Sequence, residues 1–116
     1  MILPKISLII NIIVLIPVCS GILLNANWTF DSYGIETPAR GILLSIYLAI
    51  LIISIVLLFK FDAKMVMALL VVQIVYKLLS PIMAGTIANP VIISNLFIAT
   101  FHAVSVWKIA AAERMI

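Results

Sequence analysis

Five polar residues interrupt two long apolar runs in the second half of the chain. Gln73, Lys77 and Ser80 recur at helical spacing, which places them on one stripe of a helix. Asn95 and His102 are seven residues apart and also share a helical face. Because a polar group in hydrocarbon is costly unless it is paired, these five positions are the candidates for contact with a partner, a lipid or a quinone.

Lys77 is the only charged residue well inside an apolar run, since the others lie between the runs or near their ends. We expect its ammonium to extend toward Asp31 or Glu36, which together with Arg40 form a predicted set of ion-pairing residues at the outer surface. Contact with a second subunit and coordination of an anionic ligand are the alternatives.

His102 lies near the middle of its apolar run. We expect a neutral imidazole that is hydrogen-bonded to Gln73, to a backbone carbonyl or to another subunit. Proton transfer, or a hydrogen bond to a quinone, is the alternative role. The sequence predicts no metal site, because no Cys/His cluster has the spacing of metal ligands.

Two further sets of residues predict helix packing. Asn11 is expected to hold helices together, because an intramembrane amide usually bonds to a neighbouring helix. Gly41, Ser45 and Ala49 form a strip of small residues that allows another backbone to approach closely. This strip packs either inside the protein or against a second protein.

The composition indicates that these residues are surrounded by lipid. The chain has 116 residues, of which 66% are hydrophobic and 9% charged, and its mean hydropathy is +1.40. Soluble domains carry about 25% charged residues, so we expect an integral membrane protein. The net charge is +3, but the basic residues are scattered singly and join no aromatic platform, which argues against nucleic-acid binding.

Four apolar runs are long enough to cross the ~30 Å of hydrocarbon in a bilayer as helices. They cover about residues 6–24, 39–59, 64–82 and 91–112. Thr37, Asp62 and Asn89 are predicted to cap the second, third and fourth helices. The sequence therefore predicts an all-α fold in which residues 1–116 form a single domain, an antiparallel bundle of four transmembrane helices.

The basic residues predict the orientation of the bundle. Positive residues accumulate on the cytoplasmic side, and four alternating spans place all of them except Arg40 and Lys77 on one side. The five basic residues placed on that side are Lys5, Lys60, Lys64, Lys108 and Arg114. We therefore expect both termini to be cytoplasmic and residues 25–39 to face outward.

Some positions resemble those of a known group. Pro38-Ala39-Arg40-Gly41 opens the second span, a tight turn follows it, and Tyr76-Lys77 precedes Gly85 and Asn89-Pro90. This layout resembles the DoxX-like small four-helix membrane proteins, whose Arg-Gly entry to the second span matches Arg40 and Gly41. Some members are linked to membrane redox complexes, thiol stress or quinone reduction, and the resemblance implies a related role.

The sequence has no catalytic signature, so we expect a non-catalytic accessory or structural subunit of a larger membrane complex of the redox or oxidase type. Its partners would be other membrane subunits or a second copy of the chain. One alternative is a DoxX-like component of quinone or thiol redox chemistry that binds a head group near Lys77 and His102. The other is a small transporter or channel. No cofactor is expected beyond a bound lipid or quinone.

Overall fold

The computed structural model describes residues 2–113, which fold into five helices. The helices are α1 (Ile2–Leu23), α2 (Asn27–Tyr33), α3 (Pro38–Phe59), α4 (Ala63–Ala84) and α5 (Pro90–Ala112). All except α2 are long and apolar enough to cross a membrane, with mean hydropathies of 1.5 to 3.1. The prediction of an all-α chain with four long apolar helices is therefore confirmed. Arg114, one of the basic residues from which the orientation was predicted, lies outside the described residues.

The predicted helix starts are confirmed by their capping geometry. Thr37 Oγ1 accepts a hydrogen bond from the backbone N–H of Arg40 at 3.3 Å. Asp62 Oδ1 accepts from the N–H groups of residues 64 and 65, at 3.1 and 3.2 Å. Asn89 Oδ1 accepts from residue 91 at 2.8 Å. Each side chain satisfies amide donors that the first helical turn leaves free, so these starts are determined locally.

Helix α4 extends two residues beyond residue 82, the predicted end of the third span. Pro81 lies inside α4, which ends at Gly85 with φ of 73° and ψ of 16°. This left-handed conformation is accessible to glycine without the steric cost that a side chain would add. The hydroxyl of Ser80 donates to the carbonyl of Tyr76 at 2.8 Å, so its hydrogen bond lies within the helix.

Helix α2 was not predicted from the sequence, which assigned residues 25–39 to an outward loop. Thr29 Oγ1 donates to the carbonyl of Ala26 at 2.6 Å, and Gly34 ends the helix with φ of 85°. Asn89 Nδ2 donates to the carbonyl of Ser32 at 3.0 Å, which ties α2 to the start of α5. We call this end of the molecule, where α1 and α4 end and α3 and α5 begin, the α2 end.

Two apolar clusters form the core, and polar residues separate them. The first cluster comprises Leu8, Leu57, Val66, Leu70 and Ile109. The second, nearer the α2 end, comprises Leu15, Cys19, Ile22, Tyr47 and Ile50. Along α1 and α3 the buried polar side chains of Asn11 and Ser54 fall between the clusters. The interior of the protein therefore contains a polar layer between two apolar ones.

Candidate functional site

Asn11 is the centre of the polar layer and joins three helices. Its Nδ2 donates to Ser54 Oγ on α3 at 3.1 Å, and its Oδ1 lies 2.9 Å from His102 Nε2 on α5. Because the amide oxygen can only accept, His102 donates through Nε2. All three side chains are at most 2% exposed. This arrangement satisfies both polar ends of the amide inside the protein.

The hydrogen-bond partner of His102 differs from the partner that the sequence analysis named first. The structure pairs His102 with Asn11, and Gln73 pairs with Lys77 on its own helix. The difference arises because α1 also contributes a polar residue at this depth. The second ring nitrogen of His102, Nδ1, is buried and has no hydrogen-bond partner among the described residues.

A second bridge joins α1 to α5 beside the first apolar cluster. Ser7 Oγ and Ser105 Oγ are 2.6 Å apart, and Ser105 Oγ donates to the carbonyl of Leu3 at 3.1 Å. Since Ser105 has a single hydroxyl proton, Ser7 is the donor in the bond between the two serines. Sequence reasoning did not select Ser54 or Ser105, although each is a polar residue inside a long apolar run.

Lys77 is buried, and its ammonium does not reach the carboxylates that the sequence analysis proposed as its partners. Its side chain is 5% exposed, and Nζ donates to Gln73 Oε1 at 3.3 Å. Glu36 instead accepts a hydrogen bond from Asn25 Nδ2 at 3.2 Å, and Asp31 is exposed on α2. The predicted extension of Lys77 toward these carboxylates is therefore corrected, because the ammonium is directed inward to the amide one helical turn away.

A cavity of about 290 Å³ extends between the α2 end and the polar layer. Asn11, Gln73 and Lys77 line its deeper part, and Trp28 and Pro90 line its outer part. Further polar side chains come from α2, α3, α4 and α5. They are Ser32, Tyr33, Tyr47, Tyr76, Ser94 and Asn95. Its volume is near the lower limit of typical small-molecule sites, about 300 Å³.

The predicted polar stripe only partly forms this cavity. Gln73, Lys77 and Asn95 line it, whereas His102 lies behind Asn11 and Ser80 bonds to its own helix. The three tyrosines of the wall were not among the predicted site residues. Burial raises the pKa of Tyr33 above its ordinary value, so its hydroxyl stays protonated at neutral pH.

Arg40 has a structural role at the α2 end, and it does not form the predicted ion pair. Its guanidinium donates to Thr29 Oγ1 at 2.6 Å and to the carbonyls of Ile22 and Gly34 at 3.3 and 3.2 Å. It also lies 4.9 Å from the ring centroid of Phe30. Arg40 is directed inward because its two terminal nitrogens reach these acceptors on α1, on α2 and at the residue that ends α2, whereas its buried Nε has no partner among the described residues. Arg40 thereby fastens α2 to α1 and α3 beside the cavity.

The strip of small residues on α3 faces away from the other helices. Gly41, Ser45 and Ala49 are exposed, and a Cβ added at Gly41 would meet no atom within 4 Å. Ser45 Oγ donates to the carbonyl of Gly41 at 3.1 Å. Of the two packing alternatives, the internal one is excluded by this exposure. Packing against a second protein stays a prediction.

Within residues 2–113, no three His, Cys, Asp or Glu side chains are grouped so that they could hold a metal ion. Comparison of the chain with family models, with curated proteins and with solved structures finds no match. The geometry of the cavity and of its polar walls is therefore the basis for a functional interpretation.

Proposed function

We propose that the protein is a small integral membrane protein in which α1, α3, α4 and α5 cross the bilayer as an antiparallel bundle. Each of these helices has 22 or 23 residues, which corresponds to about 33 Å at ~1.5 Å per residue and exceeds the ~30 Å of hydrocarbon. The longest dimension of the protein is 45 Å, close to the full thickness of a bilayer with its head groups.

The proposed orientation has both termini in the cytoplasm and the α2 end on the outer side. The exposed Lys60 lies in the short connection between α3 and α4, and the exposed Lys64 lies in the first turn of α4, both opposite the α2 end. Positive residues in short loops favour the cytoplasmic side. In this orientation the cavity lies in the outer half of the membrane.

The cavity supports a function in binding the head group of a lipid-soluble molecule, either a lipid or a quinone. The observation that carries this proposal is a cavity with a buried ammonium in its wall: Lys77 lines it and is 5% exposed. An ionisable residue at membrane depth is costly, and such residues usually mark functional sites. The resemblance to DoxX-like proteins supports quinone as one of the two ligands.

The test is to purify the protein in a mild detergent and identify the small molecules that stay bound by native mass spectrometry. We expect one lipid or quinone per chain. Asn95→Phe should expel it by filling the cavity, whereas Thr100→Phe on the exposed side of α5 should retain it. Ligand-free protein, or equal retention by both variants, would contradict the proposal.

A second candidate function is that of a non-catalytic accessory subunit in a larger membrane complex. The outward strip of Gly41, Ser45 and Ala49 supports it, because small residues permit close contact between membrane helices. Gly41→Leu together with Ala49→Leu should release partner proteins during purification from the native membrane. The matched control is Ala111→Leu at an exposed position of α5. Purification of the unaltered protein without any partner would exclude this role.

A further inference from the structure

The deep wall of the cavity presents hydrogen-bond donors whose acceptors are missing from the protein. The ammonium of Lys77 can only donate, so Oε1 of Gln73 is the acceptor in the hydrogen bond between these two residues. The other end of the amide, Nε2, is then directed away from Lys77, is buried, and has no partner among the described residues. Gln73 is 1% exposed. A buried donor without an acceptor is destabilising, so a ligand that supplied an acceptor would be favoured at this position.

Lys77 adds charge to this donor surface. An ammonium has three donors, and the structure shows one hydrogen bond from Nζ, to Gln73. The ring of Tyr76 lies 5.8 Å from Nζ, which is a weak contact compared with an ion pair. The residues that line the cavity include no Asp or Glu within the described part of the chain. The positive charge therefore faces the cavity without a protein counterion.

The remaining walls combine further polar groups with apolar surface. Tyr33, Tyr47 and Tyr76 contribute phenols, and Val14, Val18 and Ile98 contribute aliphatic surface. A ligand that fits must bring acceptors and negative charge to the deep wall and apolar groups to the rest. A neutral head group would satisfy the donors but leave the charge of Lys77 uncompensated, which is costly in a low-dielectric interior.

We propose that the cavity binds an oxyanion head group, a carboxylate or a phosphate, through an ion pair with Lys77 Nζ and a hydrogen bond from Gln73 Nε2. This inference rests on the proposed ligand-binding function and names the chemical class of the ligand. The oxyanion reaches the site on a membrane amphiphile whose chain lies along the aliphatic wall. A soluble anion of the same chemistry is the other source, and the experiment separates the two.

The experiment measures binding to the full-length protein in a neutral maltoside detergent by isothermal titration calorimetry. The probes are oleate, oleyl alcohol as its uncharged analogue, and inorganic phosphate. We expect oleate to bind at least about tenfold more tightly than oleyl alcohol, since a charged hydrogen bond contributes about 1.5–3 kcal/mol. Tight binding of inorganic phosphate alone would retain the oxyanion site but overturn the amphiphile as its source.

Variants at the deep wall test which residues produce this preference. Lys77→Met should abolish the preference for oleate over the alcohol, and Lys77→Arg should retain most of it. Gln73→Glu nearly preserves the shape of the side chain and places a carboxylate beside Lys77, so it should also abolish the preference. Lys108→Met, at an exposed lysine of α5, is the matched control and should leave the ratio unchanged.

The outcomes distinguish this inference from the function on which it rests. Equal affinity for oleate and oleyl alcohol would overturn the oxyanion assignment while retaining a ligand-binding cavity. Binding of neither oleate, oleyl alcohol nor phosphate, by a protein that also purifies without ligand, would overturn both. A preference for oleate that survives in folded Gln73→Glu protein would place the anion elsewhere and refute the assignment to this wall.

Discussion

At the residue scale, Asn11 has the largest structural role among the buried polar groups. Its amide connects Ser54 on α3 with His102 on α5, so one side chain satisfies two polar groups on different helices. The Ser7–Ser105 contact adds a second link between α1 and α5. In an apolar environment these directional bonds select one rotation of each helix against its neighbours, which apolar packing alone specifies less strictly.

We predict that Asn11→Ala lowers the free energy of unfolding by about 1–3 kcal/mol, because it leaves buried hydrogen-bonding groups on Ser54 and His102 without a partner. The measurement is reversible denaturation in detergent, followed by circular dichroism. A double-mutant cycle with His102→Ala should give a coupling energy of about 0.6–1.7 kcal/mol. Strict additivity of Asn11→Ala and His102→Ala would show that the hydrogen bond between these side chains contributes nothing to stability. The control is Thr100→Ala, at an exposed position of α5.

At the element scale, helix α2 depends on contacts with the rest of the protein. It has seven residues, and isolated helices of this length are unstable in water. Arg40 supplies donors to Thr29 and Gly34, and Asn89 binds the carbonyl of Ser32. These contacts hold Trp28 and Tyr33 at the wall of the cavity. The cover of the candidate site is therefore built by residues distant in sequence.

Arg40→Lys should loosen α2 while leaving the four long helices folded. Lysine retains the charge but lacks the planar fork that bonds to three acceptors at once. We expect faster amide hydrogen exchange over residues 27–33 by at least about tenfold, a change equivalent to the loss of about 1.4 kcal/mol of local stability. Lys60→Arg is the control at an exposed position. Unchanged exchange over α2 would contradict the fastening role of Arg40.

Replacement by alanine at two helical glycines, Gly21 and Gly41, should have opposite effects on stability. A Cβ on Gly21 would overlap Trp28 Cζ2 and approach the Thr29 side chain to 3.2 Å, so Gly21→Ala must displace the Trp28 ring or α2 as a whole. Gly41 has open space around it, so Gly41→Ala should be neutral or stabilise α3 by up to about 1 kcal/mol.

The measurement for the glycine pair is thermal unfolding combined with tryptophan fluorescence in a Trp107→Phe background, which leaves Trp28 as the single tryptophan. Gly21→Ala should shift the Trp28 emission and lower the melting temperature. An identical response of the two alanine variants would mean that the contact between α1 and α2 is not tight.

At the scale of the whole molecule, the outer surface of the four long helices is apolar over most of its area. Large residues such as Phe59, Phe97 and Ile82 are more than 70% exposed. A soluble monomer rarely exposes contiguous apolar surface of this extent, whereas a bilayer covers it. The polar groups are concentrated inside the protein and at its two ends, which is the distribution expected for a membrane-spanning protein.

The proposed orientation is tested by cysteine labelling in intact cells. In a Cys19→Ser background, which removes the only native cysteine, Asp31→Cys should react with a membrane-impermeant maleimide. Lys60→Cys should react only after the membrane is permeabilised, because it is placed on the cytoplasmic side. The reverse pattern would invert the topology and place the cavity in the cytoplasmic half of the membrane.

The sequence by itself determined the number of the long helices and the starts of α3, α4 and α5, whereas α1 begins four residues before its predicted start. Length and hydropathy are properties of each segment, and the caps at Thr37, Asp62 and Asn89 act within the first helical turn. Local rules therefore predicted the starts of α3, α4 and α5 to within a residue. The same rules did not predict α2, because its stability comes from Arg40 and Asn89.

Only the tertiary structure decided which polar residues meet. Gln73, Lys77 and Asn95 were predicted to belong to one site, and they line one cavity, but the partner of His102 is Asn11 on a helix far away in sequence. A helix that is apolar on nearly every side has little amphipathic signal to show which face is inside. The rotation of each helix, and with it the inward direction of Arg40 and Lys77, follows from pairings that exist only after the helices have packed.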